Sequence, residues 1–225
     1  MLYNLNMSKI NGKKFILFDL DGTIIDSYPS ITSCFLSASK EYTDREFTSD
    51  ELASIIGPPL RDSYMRLLNV DAFTAWDLVI KFREYYNAGG LFNCKVYEGI
   101  EDLLISLIEA GLIPIVATSK PEEQAIRILT HFGFDKYFKL IAGDDQECTR
   151  AVKKDVITYC LKKLDSPSYN EVVMIGDRKY DMTGARELGI TSIGVTWGYG
   201  SKKELEDSCA DYLVSSAKEL KELLI

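Results

Sequence analysis

Phe15-Ile16-Leu17-Phe18-Asp19-Leu20-Asp21-Gly22-Thr23 is the stretch whose reading decides the fold. Its four leading residues are apolar without alternation, too few for a helix, and they run into a glycine turn. A run of this kind reads as a central parallel strand covered on both faces. The same pattern recurs at Ile113 to Ala117, Leu140 to Ala142, Val172 to Ile175 and Ser192 to Val195. Amphipathic helices fall between these runs. Ile100, Leu103, Leu104, Leu107 and Ile108 mark one apolar face, and Ile126, Leu129 and Phe132 a second. Val156, Ile157, Cys160 and Leu161 mark a third, and Met182, Ala185 and Leu188 a fourth. Strand alternating with helix predicts an α/β domain with a parallel sheet.

One region breaks this rhythm. Residues 27–92 show helical spacing and no strand: Ile31, Phe35, Ala38 and Tyr42 lie on one face, and Tyr64 to Leu68 and Trp76 to Tyr86 continue the pattern. Thr48 and Glu51 have the spacing of a capping box before Leu52, Ile55 and Ile56, a helix that Gly57-Pro58-Pro59 should end. The expectation is an all-helical insert at 27–92 within a core formed by 1–26 and 93–225, with hinges near Gly22 to Pro29 and Asn87 to Gly99.

Composition narrows the function classes. The 225 residues carry 26 Lys+Arg against 34 Asp+Glu, a net charge of −8, with no long basic run. That predicts no nucleic-acid partner and no anionic membrane partner. The longest apolar runs are too short to span a bilayer, and Met1 to Lys14 has no apolar core of signal-peptide length. Five scattered cysteines (Cys34, Cys94, Cys148, Cys160, Cys209) with no CxxC predict free thiols in a reducing compartment. A soluble, cytoplasmic protein is expected.

The chemistry gathers where strands should end. Asp19 and Asp21 are two apart on extended chain, so they face one side, at the sheet end where open α/β sheets bind ligands. Two carboxylates this close repel, which calls for a cation between them or a proton on one. Thr118 follows Ile115-Val116-Ala117, and with Ser119 it offers hydroxyl and backbone N–H groups to an oxyanion. Lys153 opens the helix that contains Val156 and Ile157. Asp177 follows Val172 to Gly176, with Asp181 four residues on, placed to converge with it on one hard cation such as Mg²⁺.

Taken together, Asp19-Leu20-Asp21-Gly22-Thr23, Thr118, Lys153 and Gly176-Asp177-x-x-x-Asp181 resemble the four motifs of the haloacid dehalogenase-like hydrolase superfamily. The resemblance covers essentially the whole chain, and the insert resembles the helical cap of the phosphoglycolate phosphatase-like subgroup. It implies a Rossmann-like parallel sheet core with an inserted all-helical cap. It further implies a Mg²⁺-dependent phosphatase acting on a small phosphorylated metabolite. Carried over, Asp19 is the nucleophile that becomes an aspartyl-phosphate, and Asp21 the general acid and base. Thr118, Ser119 and Lys153 bind phosphate, and Asp19, the carbonyl of Asp21, Asp177 and Asp181 hold the metal. Lys154 stands beside Lys153; the family pattern of Lys, any residue, acid and two apolar residues selects Lys153. Arg61, after Gly57-Pro58-Pro59, is the cap residue placed to meet a second anionic group. Arg178 departs from the small hydroxyl residue frequent there.

A phosphoglycolate-like monoester is the expected substrate, and a nucleoside 5′-monophosphate is the alternative. A sugar-phosphate mutase of the same superfamily commonly has Val where this chain has Thr23. Phospho-accepting receiver domains use a similar acid, Thr and Lys set in another chain order and roughly half this length. The charge of −8 remains to be reconciled with an anionic substrate. Asp19, Asp21, Asp177 and Asp181 contribute −4 of it and Lys153 returns +1, a local −3 that a divalent cation would largely offset.

Overall fold

The computed structural model describes residues 9–145, 149–150 and 152–225. Cys148 lies outside them; Cys34, Cys94, Cys160 and Cys209 are free thiols. The chain divides into two compact units, residues 25–95 and the two flanking segments together.

The flanking segments build a six-stranded sheet. Its strands are β1 (Phe15–Phe18), β4 (Ile113–Pro121), β5 (Ile141–Asp144), β6 (Val172–Gly176), β7 (Thr191–Val195) and β8 (Tyr212–Val214). They lie in the order β5-β4-β1-β6-β7-β8, and every pairing is parallel. The expectation of an α/β fold with a parallel sheet holds. After β1 the chain enters the sheet on one side with β4 and β5, then crosses to the other side with β6. The order therefore reverses at β1, and the carboxyl end of that strand, between β4 and β6, is the crevice where such sheets bind ligands.

The strands are uniformly apolar because both faces are covered. Ile16, Leu17 and Phe18 are fully buried, as are Ile115, Val116 and Ala117 in β4 and Val172 to Ile175 in β6. Leu17, Ile115, Ala117 and Met174 share one cluster with Val156, Ile157 and Cys160 of α7 (Lys153–Lys163) and Ala185 of α8 (Lys179–Leu188). Further helices connect the strands: α5 (Ile100–Glu109), α6 (Glu122–Phe132) and α9 (Lys202–Asp207), with α10 (Ala217–Leu224) closing the chain. Three readings change in detail. β4 runs on to Pro121, four residues past the expected end; the third apolar run forms its strand at Ile141–Asp144; and β8 is a strand that its three residues could not announce.

Residues 25–95 form the second unit. It contains α1 (Tyr28–Lys40), α2 (Ser49–Ala53), α3 (Leu60–Leu68) and α4 (Ala72–Asn87). The capping box at Thr48 is made: Glu51 N–H donates to Thr48 Oγ1 at 3.3 Å, and Thr48 N–H donates to Glu51 Oε2 at 3.0 Å. The helix it opens is shorter than the spacing suggests and stops at Ala53, so Ile55 and Ile56 are buried beyond its end. Phe35 of α1 stacks on Tyr64 of α3 with ring centroids 4.4 Å apart, and this pair anchors the unit's core. β2 (Ile25–Asp26) pairs with β3 (Lys95–Val96) where the chain leaves and rejoins the sheet-bearing segments.

Candidate active site

Asp19 extends β1 by one ladder bond, its N–H donating to Ile175 O at 2.8 Å. Gly22 then turns the chain at φ +80°, in the left-handed region that favours glycine. A Cβ at Gly22 would overlap the carboxylate of Asp177. The Asp-x-Asp-Gly turn is thereby folded directly against the end of β6.

Asp19, Asp177 and Asp181 each offer a carboxylate oxygen, and these oxygens lie within 4.8 Å of one another. Asp177 and Asp181 are fully buried. Burial pushes the Asp177 carboxyl well above the usual range, and the charges of Asp181 and Asp19 push it further. Burial raises Asp181 to about 6, against the opposing pull of Lys153. Two buried acids and a half-buried one in this proximity could hold a metal: each is a hard oxygen donor, and their repulsion is relieved by a divalent cation.

Short loops hold these acids in place. Asp177 Oδ2 accepts from Tyr199 N–H at 2.8 Å, and a Cβ at Gly200 would strike the Asp177 carbonyl. Trp197 Nε1 donates to Thr23 O at 3.1 Å. The aromatic-glycine loop after β7 thus packs on both motif ends. Asp181 Oδ2 accepts from Arg178 N–H at 3.1 Å, so a carboxylate that faces the site also caps α8. Arg178 itself turns aside to Glu204, 2.9 Å away.

Lys153 brings the cation. Its Nζ lies 2.9 Å from Asp19 Oδ1 and 2.8 Å from Asp181 Oδ1, and donates to Ala117 O at 3.0 Å. Burial, the largest influence on this ammonium, disfavours its charge, yet Asp181 and Asp19 together hold it above the ordinary lysine value. Lys154 points elsewhere, 3.3 Å from Glu187 and with its side chain 44% exposed. Thr118 is buried within β4, three residues before its end, its Oγ1 accepting from Lys120 N–H at 3.2 Å, whereas Ser119 is exposed. Asp19, Asp21 and Asp177 follow the ends of β1 and β6, Thr118 lies in the second half of β4, and Lys153 and Asp181 lie in the first turns of α7 and α8. Arg61 lies in the helical unit, in the first turn of α3, exposed and 3.4 Å from Asp62.

One residue at this edge escaped the motif reading. Lys120 Nζ lies 2.8 Å from Asp21 Oδ2 and 3.1 Å from Asp21 Oδ1, gripping both oxygens, and its side chain is only 6% exposed. The signal available was its spacing: two residues beyond Thr118 on extended chain, hence on the same face. With Lys120 included, the local charge becomes −2.

The sequence matches the haloacid dehalogenase-like hydrolase family over residues 16–195. The chain belongs to that family. It is 38% identical over 190 residues to a 5′-nucleotidase of Pseudomonas aeruginosa, covering 84% of this chain and 86% of that one. It is 27% identical over 220 residues to a phosphoglycolate phosphatase of Colwellia psychrerythraea, covering 94% and 97%. The solved structure of protein tyrosine kinase A from Mycobacterium tuberculosis superposes with a TM-score of 0.81 at 33% identity, covering 94% of this chain and 98% of that one. Within the family this chain is a phosphoric monoester hydrolase.

Proposed function

We propose that the protein is a Mg²⁺-dependent phosphatase that hydrolyses a small phosphomonoester through a phosphorylated Asp19. The observation that carries this reading is the setting of Asp19. Its carboxylate shares Lys153 with Asp181 and lies beside Asp177, at the switch point of the sheet.

Asp19, Asp177 and Asp181, with the carbonyl of Asp21, would hold Mg²⁺, which offsets the repulsion between an anionic nucleophile and an anionic phosphate. A carboxylate oxygen of Asp19 attacks phosphorus, and the ester P–O bond breaks. Asp21 gives its proton to the departing oxygen, so the leaving group departs as an alcohol. Asp21, now ionised, takes a proton from water as that water attacks the phosphorus of the aspartyl-phosphate. Inorganic phosphate departs, and Asp19 is restored as a carboxylate and Asp21 as an acid. Thr118, Ser119 and Lys153 donate hydrogen bonds to phosphate oxygens as charge develops on them.

A phosphoglycolate-like ester is the substrate class assigned first. The nucleotidase relative, closer in identity than the phosphoglycolate phosphatase, favours a nucleoside 5′-monophosphate as the second reading. The test is phosphate release from phosphoglycolate, nucleoside 5′-monophosphates, hexose phosphates and pyrophosphate, with and without Mg²⁺, beside Asp19→Asn. Mg²⁺-dependent release from a monoester that Asp19→Asn abolishes is expected. Absence of release from all of them, or an active Asp19→Asn, would sink the reading.

A further inference from the structure

Each carboxylate of the Asp-x-Asp pair has its own buried ammonium. Lys153 of α7 takes Asp19 and shares it with Asp181. Lys120 of β4 takes Asp21 by both oxygens, at 2.8 and 3.1 Å. The second pair is sunk into the sheet edge, with 6% of the lysine side chain and 19% of the aspartate side chain exposed. A buried ion pair of this kind is a poor source of stability, since desolvation of both charges cancels much of the attraction. What it supplies is a fixed carboxylate.

Asp21 needs such an anchor. It stands three residues beyond the end of β1, beside the left-handed turn at Gly22, and the side chain that meets its carboxylate comes from β4. The proton it delivers and the one it removes both require its oxygen within hydrogen-bond reach of the reacting atom. Lys120 is itself well fixed for the task. It is the eighth residue of β4, its N–H tied to the buried Thr118 hydroxyl, so the stem starts from a rigid strand. We infer that Lys120 is a positioning residue, its ammonium clamping the Asp21 carboxylate in the place from which it serves both proton transfers. The inference rests on the proposed roles of Asp19 and Asp21.

The leaving group separates this role from others. p-Nitrophenolate departs without a proton, so phosphorylation of Asp19 by p-nitrophenyl phosphate bypasses Asp21, whereas hydrolysis of the aspartyl-phosphate does not. In Lys120→Met, p-nitrophenyl phosphate should give a burst of about one nitrophenolate per chain, then slow turnover with phosphoenzyme accumulating. For glycerol phosphate, whose alcohol does need a proton, kcat should fall about 10- to 100-fold with KM within about threefold of wild type. Lys120→Arg should recover part of the loss. In an Asp21→Asn background, Lys120→Met should cost no more than about twofold, because the residue it positions is already disabled.

Equal losses in the two backgrounds would overturn the inference, as would a raised KM with unchanged kcat, which marks a substrate contact instead. If Lys120→Met fails to fold, Lys120→Gln, of similar length and still polar, is read by the same criteria. The two levels of failure are distinct. A wild type that releases no phosphate, or an active Asp19→Asn, removes the functional reading; an active wild type with additive Lys120 and Asp21 effects removes only the clamp.

Discussion

Both units bury hydroxyls, but among the described residues only the sheet-bearing unit buries charge. Among the described residues, the helical unit buries Ser27, Ser30, Thr32, Ser39 and Ser63, all hydroxyls and none charged. The sheet-bearing unit buries hydroxyls too, at Thr23, Thr118 and Ser192, and adds the charges of Lys120, Lys153, Asp177 and Asp181. A helix satisfies a buried hydroxyl locally: Thr32 Oγ1 donates to Tyr28 O at 2.6 Å, and Ser39 Oγ to Phe35 O at 2.8 Å. A buried charge has no such local remedy, because leaving water costs far more than one hydrogen bond returns. Four of them at the carboxyl edge of one sheet are held by partners from different strands and helices. Buried groups that cost this much mark where function is built.

The contrast can be broken by substitution, and the largest effect should come from Lys153→Met. It leaves Asp19 and Asp181 without their ammonium, so stability should drop by about 3–5 kcal/mol in denaturant titrations. Its kcat should fall about 100- to 1,000-fold, as for loss of an oxyanion donor. A variant as stable as wild type would mean that the buried charges are not coupled.

Cation removal should have the next largest effect, with a sign set by the raised carboxyls. Asp177 and Asp181 both ionise less readily in the folded chain than in the unfolded one. Their contribution to stability is therefore complete below the unfolded carboxylate value, about 4. It is lost as pH rises through the folded values, about 6 for Asp181. The Tm of cation-free protein should fall between roughly pH 5 and pH 7.5, added Mg²⁺ should flatten that fall, and Asp177→Asn should make it shallower. A cation-free Tm that rises over this interval, unchanged by Asp177→Asn, would contradict the assignment.

At the other extreme stands Ser39→Ala in the helical unit. It removes one hydroxyl that a helix carbonyl already satisfies, so the loss should be about 1 kcal/mol or less, a Tm shift of roughly 2–4 °C. A loss as large as that of Lys153→Met would erase the distinction between the two units.

Legibility in the sequence follows the same division. The strands could be read because continuous burial demands continuous apolar runs, as in Phe15 to Phe18 and Val172 to Ile175. The acids that the structure gathers stood out because Asp19 and Asp177 follow such runs directly, where charge has no structural reason to be, and Asp181 lies four residues beyond Asp177. β8 could not be read, since three residues carry no period. The early stop of α2 could not be read either, because Ile55 and Ile56 keep helical spacing and are buried although they lie past the helix end. Lys120 was hidden for a related reason: a lysine near a strand end is ordinarily solvated, and only the parallel pairing of β1 with β4 sets it against Asp21.

The central claim is that Asp19 carries the phosphoryl group. Its most direct test is rapid quenching of the protein with p-nitrophenyl phosphate and Mg²⁺, followed by peptide mass spectrometry. A single phosphoryl adduct on Asp19, absent from Asp19→Asn, is the predicted result. An adduct on another residue, or turnover with none in Asp19→Asn, would contradict it.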